Sequence, residues 1–373
     1  MNRRSALGRI GTFALAGTLD VDRIGEPHGR KRQNTALRKI ATEEACTFAE
    51  VAGELRKVVR AGGSNLDLRL LKSIYDAPPG VEPRFLPELL DFDAKRLVDM
   101  DRHGVSMHVL SLTAPGVQMF DAKTGASLAT LSNDRLADIV RRHPKRYAAL
   151  ASFAPQDPQA AVKEMERAVN TLRLNGFIVN SHTNNEYLDQ ARYWPILEAA
   201  EALDAPLYIH PRAPSDGMAA PFRDYALESA AWGYGMETGT HAVRLMLSGV
   251  LDRFPKLRII LGHMGEGIPF WMWRLDFMGA PGGRAAGRSN RLKPSEYFQR
   301  NFAITTSGVE DPLALRYCID RLGVDNIMWA IDYPYQTTAP AVSFIETAPM
   351  SDSDRRKIAH GNAERIFRIG SQG

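Results

Sequence analysis

Four short apolar runs in this sequence each end on side chains that can bind a metal ion. They are KIATEE with Glu43, PLYIHP with His210, RIILGHMGE with His263 and Glu266, and IMWAIDYP with Asp332. An aliphatic run that stops abruptly on a polar residue is typical of a buried parallel strand, whose carboxyl end delivers that residue to one edge of the sheet. The pattern therefore predicts a parallel α/β fold with its functional side chains at the strand ends.

Strand-like runs alternate with helix-like segments eight times along the chain. The helix-like segments include DRLADIVRRHP and AAVKEMERAVNTL. The runs that we expect to be strands cover 39–45, 107–113, 147–154, 176–183, 206–211, 258–264, 302–308 and 327–333. Eight such units predict an α/β fold of the (β/α)8 TIM-barrel type. A doubly wound open sheet is the alternative, but no Gly-rich phosphate-binding fingerprint follows any of the runs.

Three connections, 46–94, 212–240 and 279–300, are longer than a bare barrel requires. They follow the first, fifth and sixth predicted strands. Because the chain leaves each barrel strand at its carboxyl end, we expect these insertions on the C-terminal face, where they would cover the site.

The composition fits one large enzyme domain. Of the 373 residues, 44% are hydrophobic and 24% are charged, which excludes a disordered chain. No stretch approaches the roughly 18 apolar residues of a spanning helix. The net charge of +4 arises largely from the first 40 residues, and Cys46 and Cys318 are too few for a disulfide framework or a thiolate zinc site. We therefore expect neither a nucleic acid nor a membrane as a partner.

The basic segment 1–37 stands apart from the barrel domain that we predict for 38–373. It resembles a twin-arginine export signal, because Arg3 and Arg4 precede the apolar run IGTFALAGTL. Arg9 interrupts this pattern, and no clear small-x-small cleavage site follows. We expect a cytoplasmic protein, with periplasmic export as the alternative.

A closed barrel brings the carboxyl ends of all its strands around one mouth. Glu43, His210, His263 and Asp332 should therefore be neighbours, although they are far apart in sequence. Carboxylates and imidazole are good ligands for a divalent cation, with water completing the coordination. The sequence thus predicts a catalytic metal site at this mouth.

The motifs around these residues resemble the metal-dependent amidohydrolase superfamily. Within it they are similar to the non-oxidative aromatic acid decarboxylases, a branch related to the aminocarboxymuconate semialdehyde decarboxylases. The resemblance covers roughly 38–368 and includes ATEEA, APQDP, GMETGTH, GHMGE with its aromatic helix, TTSGV and NAERIF. LTAPGVQ, VNSHT and IDYPYQ look closest to the 5-carboxyvanillate enzymes, whereas HPRAP at 210–214 looks more like the γ-resorcylate or dihydroxybenzoate type.

This resemblance implies a role for each residue of the predicted site. Glu43, His210 and Asp332 match the metal ligands, and His263 with Glu266 matches the active-site pair, with Asp332 as the proton donor to the ring. The hydrolytic relatives carry His-x-His on the first strand, where this chain has Glu43 and Ala45. An oxygen-rich ligand set favours Mn²⁺, with Zn²⁺ as the alternative.

Six further residues are candidates for contact with a small aromatic carboxylic acid. Thr113 and Tyr335 end the second and eighth runs, Arg212 follows His210-Pro211, and Arg84 lies in the first insertion, from which it could reach a neighbouring subunit. The full set is Arg84, Thr113, Arg212, His241, Arg274 and Tyr335. His241 could instead be a helix-capping residue, and Arg274 could pair with Asp276. We also expect a homodimer or homotetramer.

Two other functions stay open on the sequence alone. A hydrolase of the same superfamily, such as a lactonase, would use a metal-bound water with His263 or Asp332 as base. A catalytically silent barrel could be retained as a binding module, but the intact set of Glu43, His210 and Asp332 argues against that reading.

Overall fold

The computed structural model describes residues 36–282 and 288–370. Each strand in these ranges pairs in parallel with its neighbours. The strands are β1 (Ile40–Cys46), β2 (Met107–Leu112), β3 (Tyr147–Ala149), β4 (Ala151–Ser152), β5 (Phe177–Asn180), β6 (Leu207–His210), β7 (Ile259–Leu261), β8 (Phe302–Thr305) and β9 (Ile327–Met328).

Helices follow the strands and form the outer layer. They are α1 (Ala49–Ala61), α2 (Leu68–Tyr75), α3 (Leu86–Leu89), α4 (Lys95–Arg102), α5 (Ala122–Arg142), α6 (Pro158–Asn170), α7 (Trp194–Ala202), α8 (Gly233–Leu247), α9 (Val250–Arg253), the single turn α10 (His263–Glu266), α11 (Ile268–Gly279), α12 (Pro294–Asn301), α13 (Pro312–Leu322), α14 (Thr338–Thr347), α15 (Asp352–Arg356) and α16 (Asn362–Ile366). Asp residues cap several of them. Asp121 and Asp157, for example, each accept two backbone N–H groups at the start of α5 and α6.

The regular ladder of the barrel is interrupted at two points. At each of them, backbone hydrogen bonds join the neighbouring strands and close the barrel. β3 and β4 occupy one barrel position. Leu150 lies between them and donates its N–H to Leu110 O at 2.8 Å, while Ala151 N–H bonds Gly176 O at 2.8 Å. The other closure joins the first and last strands, where Ala45 N–H reaches Tyr333 O at 2.8 Å. The prediction of a (β/α)8 barrel is confirmed, and the doubly wound alternative is wrong.

Apolar side chains fill the barrel and the layer outside it. Alternate residues of the strands point inward and pack together, among them Val109, Leu150, Ile178 and Ile260. Ile366 and Phe367, from α16 and the residue after it, pack onto this inner cluster. A larger cluster lies between the strands and the surrounding helices. The barrel is therefore a packed core, and the strand ends can serve as a rigid support for a site.

Two of the three insertions predicted at the C-terminal face contribute to one cavity there. The described part of the third, 279–300, does not line it, and Ser289 N–H instead bonds Leu247 O at the end of α8. Arg84 and Phe85 come from the first insertion and Ser229 from the second, and they line the same cavity as His210. The basic tail 1–37 and its twin-arginine pattern fall outside the described residues, apart from the last two positions. Among the described helices, none combines the length and the apolar character needed to cross a membrane.

Candidate active site

Three strand ends bring a carboxylate, an imidazole and a second carboxylate together. Glu43 lies in β1, His210 ends β6, and Asp332 follows β9 by four residues. One ligand atom from each lies within 4.8 Å of the others. Nε2 of His210 is 3.5 Å from Oε1 of Glu43. The structure thus brings the three predicted metal ligands to one point.

A β-bulge sets the direction of the Glu43 side chain. The pairing of β1 with β2 moves from Ala41–His108 to Glu44–Leu110, so that β1 carries one extra residue in this interval. Such a bulge re-aims a side chain locally. Oε2 of Glu43 accepts hydrogen bonds from Thr305 Oγ1 at 2.8 Å and from Ser307 Oγ.

The second oxygen of the Glu43 carboxylate suits a cation. Oε1 is buried and has no hydrogen-bond partner among the described residues, and it faces His210 and His263. A buried carboxylate oxygen without a donor is costly unless something positive occupies the space beside it. Together with the donor chemistry of His210 and Asp332, this oxygen shows that the residues present fit a divalent metal ion.

The charges of this cluster shift the pKa of both carboxyl groups. Burial would raise the pKa of Glu43, but the imidazoles of His263 and His210, together with hydrogen bonds such as that from Ser307, hold the pKa below its usual value. Burial raises the pKa of Asp332, and the neighbouring Glu43 adds to this rise although His263 opposes it. A bound cation would lower both, since it stabilises the ionised forms.

His263 stands at the rim of the cluster and is oriented by Glu266. Its Nδ1 lies 2.9 Å from Glu266 Oε1, which leaves Nε2 3.9 Å from both Glu43 Oε1 and Asp332 Oδ2. The backbone of this turn is left-handed, with φ of 50° at His263, 54° at Met264, 74° at Gly265 and 54° at Glu266. Two residues separate the pair, and the left-handed turn brings His263 and Glu266 face to face.

A cavity of about 280 Å³ opens beside the cluster. Thr113 and Tyr335 line it and share a hydrogen bond of 2.6 Å between their hydroxyl oxygens. Arg84 also lines it, with its guanidinium carbon 4.7 Å from the centre of the Phe85 ring. Arg84 therefore belongs to the cavity of its own chain, and the expectation that it reaches a neighbouring subunit is corrected. The remaining lining residues include Leu70, Ser229, Tyr234 and Gln336.

Three predicted substrate-binding residues do not line this cavity. Arg212 is buried and forms an ion pair with Asp67, with Nε 3.1 Å from the Asp67 carboxylate, because a buried guanidinium requires a charged partner. His241 is fully buried on α8, where Nε2 accepts the Leu188 N–H at 3.1 Å. Arg274 is exposed on α11 and does not pair with Asp276, whose carboxylate accepts the Ser295 N–H.

Sequence reasoning missed the hydroxyl groups that hold Glu43. Thr305 and Ser307 lie two residues apart at the end of β8, so their side chains point to the same side. Because alternate residues of a strand share a face, the motif TTSGV could have predicted that Thr305 and Ser307 both point into the barrel mouth. Tyr208 was missed for the same reason, and its hydroxyl lies 3.1 Å from Thr305 Oγ1.

The fold and this ligand set define a barrel enzyme with a site for a divalent cation. A family profile described as amidohydrolase matches residues 86–369, and the chain belongs to that family. It is 39% identical over 308 residues to the γ-resorcylate decarboxylase of Polaromonas sp. strain JS666, which covers 80% of this chain and 94% of that protein.

This chain is also similar to solved structures of aromatic acid decarboxylases. The 5-carboxyvanillate decarboxylase of Sphingomonas paucimobilis is 55% identical, with a TM-score of 0.87 over 90% of this chain and 100% of that chain. The 5-carboxyvanillate decarboxylase of Novosphingobium aromaticivorans is 36% identical, with a TM-score of 0.85 over 89% of this chain and 96% of that one. That structure contains manganese and 4-hydroxy-3-methoxy-5-nitrobenzoic acid.

Proposed function

We propose that this protein is a metal-dependent, non-oxidative decarboxylase of an ortho-hydroxylated aromatic carboxylic acid. The observation that carries the proposal is the cluster of Glu43, His210 and Asp332 beside a cavity small enough for one substituted ring. The named relatives are decarboxylases of such acids. The greater identity to a 5-carboxyvanillate enzyme, 55% against 39% for the γ-resorcylate enzyme, favours a substrate of the 5-carboxyvanillate type.

Glu43, His210 and Asp332 would hold the cation. Two carboxylates and one imidazole form an oxygen-rich set, so we propose Mn²⁺, with Zn²⁺ as the alternative. When bound, the ion would supply positive charge that orients the substrate and favours the phenolate form, whose electron-rich ring accepts a proton more readily. Elemental analysis of the parent and of Glu43→Ala tests the assignment, and stoichiometric metal in both would contradict it.

Asp332 is the proposed proton donor. It lies on the cavity wall, where it would take up the phenolic proton of the substrate and deliver it to the ring carbon that bears the carboxylate. Once that carbon is protonated, the C–C bond breaks, its electron pair returns to the ring, and CO₂ leaves. His263, held by Glu266 at 2.9 Å, would stabilise the negative charge on the substrate.

Other cavity residues would position the ring. The guanidinium of Arg84 forms no ion pair with a carboxylate of the described residues, so we propose that it binds the carboxylate that the reaction leaves in place. The hydroxyl groups of Thr113 and Tyr335 would bond to ring oxygens. A dicarboxylated substrate has a second carboxylate for Arg84 to bind, whereas a monocarboxylated resorcylate has none.

Isotope labelling tests the reaction class. In D₂O, the Mn²⁺-loaded enzyme should convert 5-carboxyvanillate to CO₂ and a phenol that carries deuterium at the former carboxylate position, since only a solvent-exchanged proton can replace the carboxylate. 2,6-Dihydroxybenzoate serves as the comparison substrate and should turn over more slowly. Uptake of ¹⁸O from labelled water with no CO₂ would indicate a hydrolase such as a lactonase instead.

The aromatic face of α11 supports a homodimer or homotetramer. Phe270, Trp273 and Phe277 expose 71%, 63% and 65% of their surface, and Trp271 and Met278 are also exposed. A contiguous exposed apolar patch of this kind marks a protein interface. Sedimentation equilibrium should give an assembly of at least two chains, and a monomer at micromolar concentration would contradict it.

A cytoplasmic location is the accompanying proposal. Cys46 and Cys318 are both free thiols, which suits a reducing compartment. Detection of the full-length chain in the periplasmic fraction would favour the twin-arginine alternative.

A further inference from the structure

The last barrel strand leaves the sheet before it reaches the site. The ladder between β8 and β9 ends at the pair Thr305–Met328, whereas Asp332 lies four residues further along the chain. Other groups then replace the ladder. Trp329 N–H bonds Ile358 O at 2.8 Å, and Ala330 N–H bonds Thr306 Oγ1 at 3.2 Å. Apart from the bond from Ala45 N–H to Tyr333 O, the segment that carries Asp332 therefore depends on partners outside the regular sheet.

Glu44 supplies two of those partners. It is fully buried, and its Oε1 accepts the N–H of Ile331 at 3.0 Å while its Oε2 accepts the N–H of Tyr333 at 3.0 Å. These two residues flank Asp332, so that one carboxylate brackets the functional residue from both sides. Glu44 is adjacent to Glu43, but only Glu43 belongs to the metal-ligand cluster.

The two hydrogen bonds to Glu44 support a backbone conformation at Asp332 that is unfavourable without such support. Asp332 has φ of 73°, in the left-handed region, which is unfavourable for a residue other than glycine and persists only where the surroundings fix it. Arg96 supports the same segment from behind. Its guanidinium carbon lies 4.6 Å from the centre of the Tyr333 ring, and it donates to Ala45 O at 2.7 Å.

We infer that Glu44 is a positioning residue, whose carboxylate fixes the backbone on both sides of Asp332 and thereby places Asp332 for metal binding and proton transfer. The inference rests on the proposed function for the second of these roles. Glu44 touches neither the cavity nor the ligand cluster. Its effect on the position of Asp332 would pass through the two backbone N–H groups.

The test replaces one carboxylate oxygen with a nitrogen. Glu44→Gln keeps the shape of the side chain, but its amide nitrogen cannot accept a hydrogen bond from an N–H group, so one of the two hydrogen bonds is lost. The matched control is Asn362→Asp. Asn362 is buried and donates to Val324 O at 2.8 Å and Ile327 O at 2.7 Å, at the opposite end of the same strand. By exchanging one atom, Glu44→Gln thus removes one backbone contact near the end of the last run, and Asn362→Asp removes two near its start.

Mn²⁺ affinity is measured by titration with electron paramagnetic resonance, and thermal unfolding is measured in chelator. Glu44→Gln should weaken Mn²⁺ binding about 10- to 100-fold and lower kcat more than it changes KM. Asn362→Asp should lower the unfolding temperature while Mn²⁺ affinity stays at the parent value. Equal Mn²⁺ affinity in the parent and Glu44→Gln would overturn the inference, as would equal weakening in both variants.

Two further comparisons cover the cases in which Glu44→Gln does not fold or the parent protein decarboxylates no tested acid. If Glu44→Gln does not fold, Glu44→Asp replaces it, because it retains both oxygens but withdraws them by one methylene group. Weakened Mn²⁺ binding is expected there too, and parent-like binding would overturn the inference. If the parent binds Mn²⁺ but decarboxylates no tested acid, the proposed function fails, while the Mn²⁺ comparison still decides the role of Glu44.

Discussion

Neighbouring residues of like chemistry have different environments at the end of β1. The imidazoles of His263 and His210 hold the pKa of Glu43 below its usual value, whereas burial raises the pKa of Glu44 to about 8. The bulge in β1 directs Glu43 into the ligand cluster, and Glu44 turns to the backbone of the last strand. Two adjacent carboxylates can thus divide the tasks of binding a cation and of supporting the residue opposite it.

At the residue scale, Asp332→Asn separates proton transfer from folding. The amide keeps the shape of the side chain but has no acidic proton to deliver to the ring, so kcat should fall about 10²- to 10⁴-fold. Binding of the substrate, followed by fluorescence quenching, should persist. Metal content is measured in parallel, because retained Mn²⁺ shows that the site itself survives. Turnover close to that of the parent would rule out Asp332 as the donor.

The sequence predicted residues at the ends of apolar runs better than residues in the connections. Glu43, His210 and Asp332 follow directly from the apolar runs, since parallel strands of a barrel end at one mouth. Arg212 and His241 lie in connections, and their direction depends on tertiary partners such as Asp67 and Leu188. No local pattern encodes those partners.

At the scale of the element, the turn after β7 shows how backbone geometry serves the site. The left-handed path from His263 through Gly267 would cost ordinary residues free energy, and glycine at 265 and 267 reduces that cost. A Cβ at Gly265 would also lie 2.9 Å from Ile304 Cγ2. Gly262 differs, because its φ of −72° and ψ of −175° suit any residue, and only space forbids a side chain there.

Gly262→Ala should therefore disturb Glu43 more than it disturbs the turn. The added Cβ would come within 2.8 Å of Glu43 Oε1, the oxygen that faces His210. Because Thr305 and Ser307 hold the other oxygen, the carboxylate cannot simply swing aside. We expect Mn²⁺ affinity, measured by titration calorimetry, to fall about tenfold or more.

The matched control for this substitution is Gly217→Ala, where the added Cβ meets nothing within 4 Å. It should bind Mn²⁺ as the parent does. Unchanged Mn²⁺ affinity in Gly262→Ala would mean that Glu43 has more freedom than its hydrogen bonds indicate.

Element positions followed from the sequence, whereas element ends did not. Each predicted run overlaps a barrel strand, because buried parallel strands are continuously apolar. Seven of the eight runs are longer than that strand, however, and the first run, 39–45, ends one residue before β1 does. The last run, 327–333, pairs with β8 only at Ile327–Met328, since beyond that point side chains and the carbonyl of Ile358 accept its N–H groups. The third run splits at Leu150 into β3 and β4, each paired with a different neighbour.

At the scale of the whole molecule, three buried neutral histidines link stability to pH. Burial lowers the pKa of His241 to about 3, that of His182 to about 4, and that of His108 well below its usual value. In the unfolded chain each would titrate near 6.5. As the pH falls below 6.5, the unfolded state therefore takes up protons that the folded state does not bind. The resulting loss of stability continues to about pH 4 for His182 and to about pH 3 for His241. Three such groups give a slope of up to about 4 kcal/mol per pH unit.

His108→Leu tests this link between stability and pH at a histidine whose ring nitrogens form no hydrogen bond among the described residues. Both of its ring nitrogens are buried without a hydrogen-bond partner among the described residues. Leucine removes these unsatisfied groups, so urea unfolding in chelator at pH 7 should show a gain of about 1 kcal/mol or more. Between pH 6 and pH 5 the loss of stability should be smaller than in the parent by about 1 kcal/mol, because the unfolded state takes up one proton fewer.

His182→Leu provides the contrast, since it removes a titrating group of the same kind but a bonded one. Its Nε2 lies 3.2 Å from Ala213 O, and its Nδ1 accepts the Asn185 N–H at 3.4 Å. This variant should show the same reduced acid slope but lower stability at pH 7, because Ala213 and Asn185 lose their partner. The two variants thus separate the proton linkage, which they share, from hydrogen bonding, in which they differ. An acid slope equal to that of the parent in both variants would assign the acid sensitivity of the barrel to its carboxylates instead.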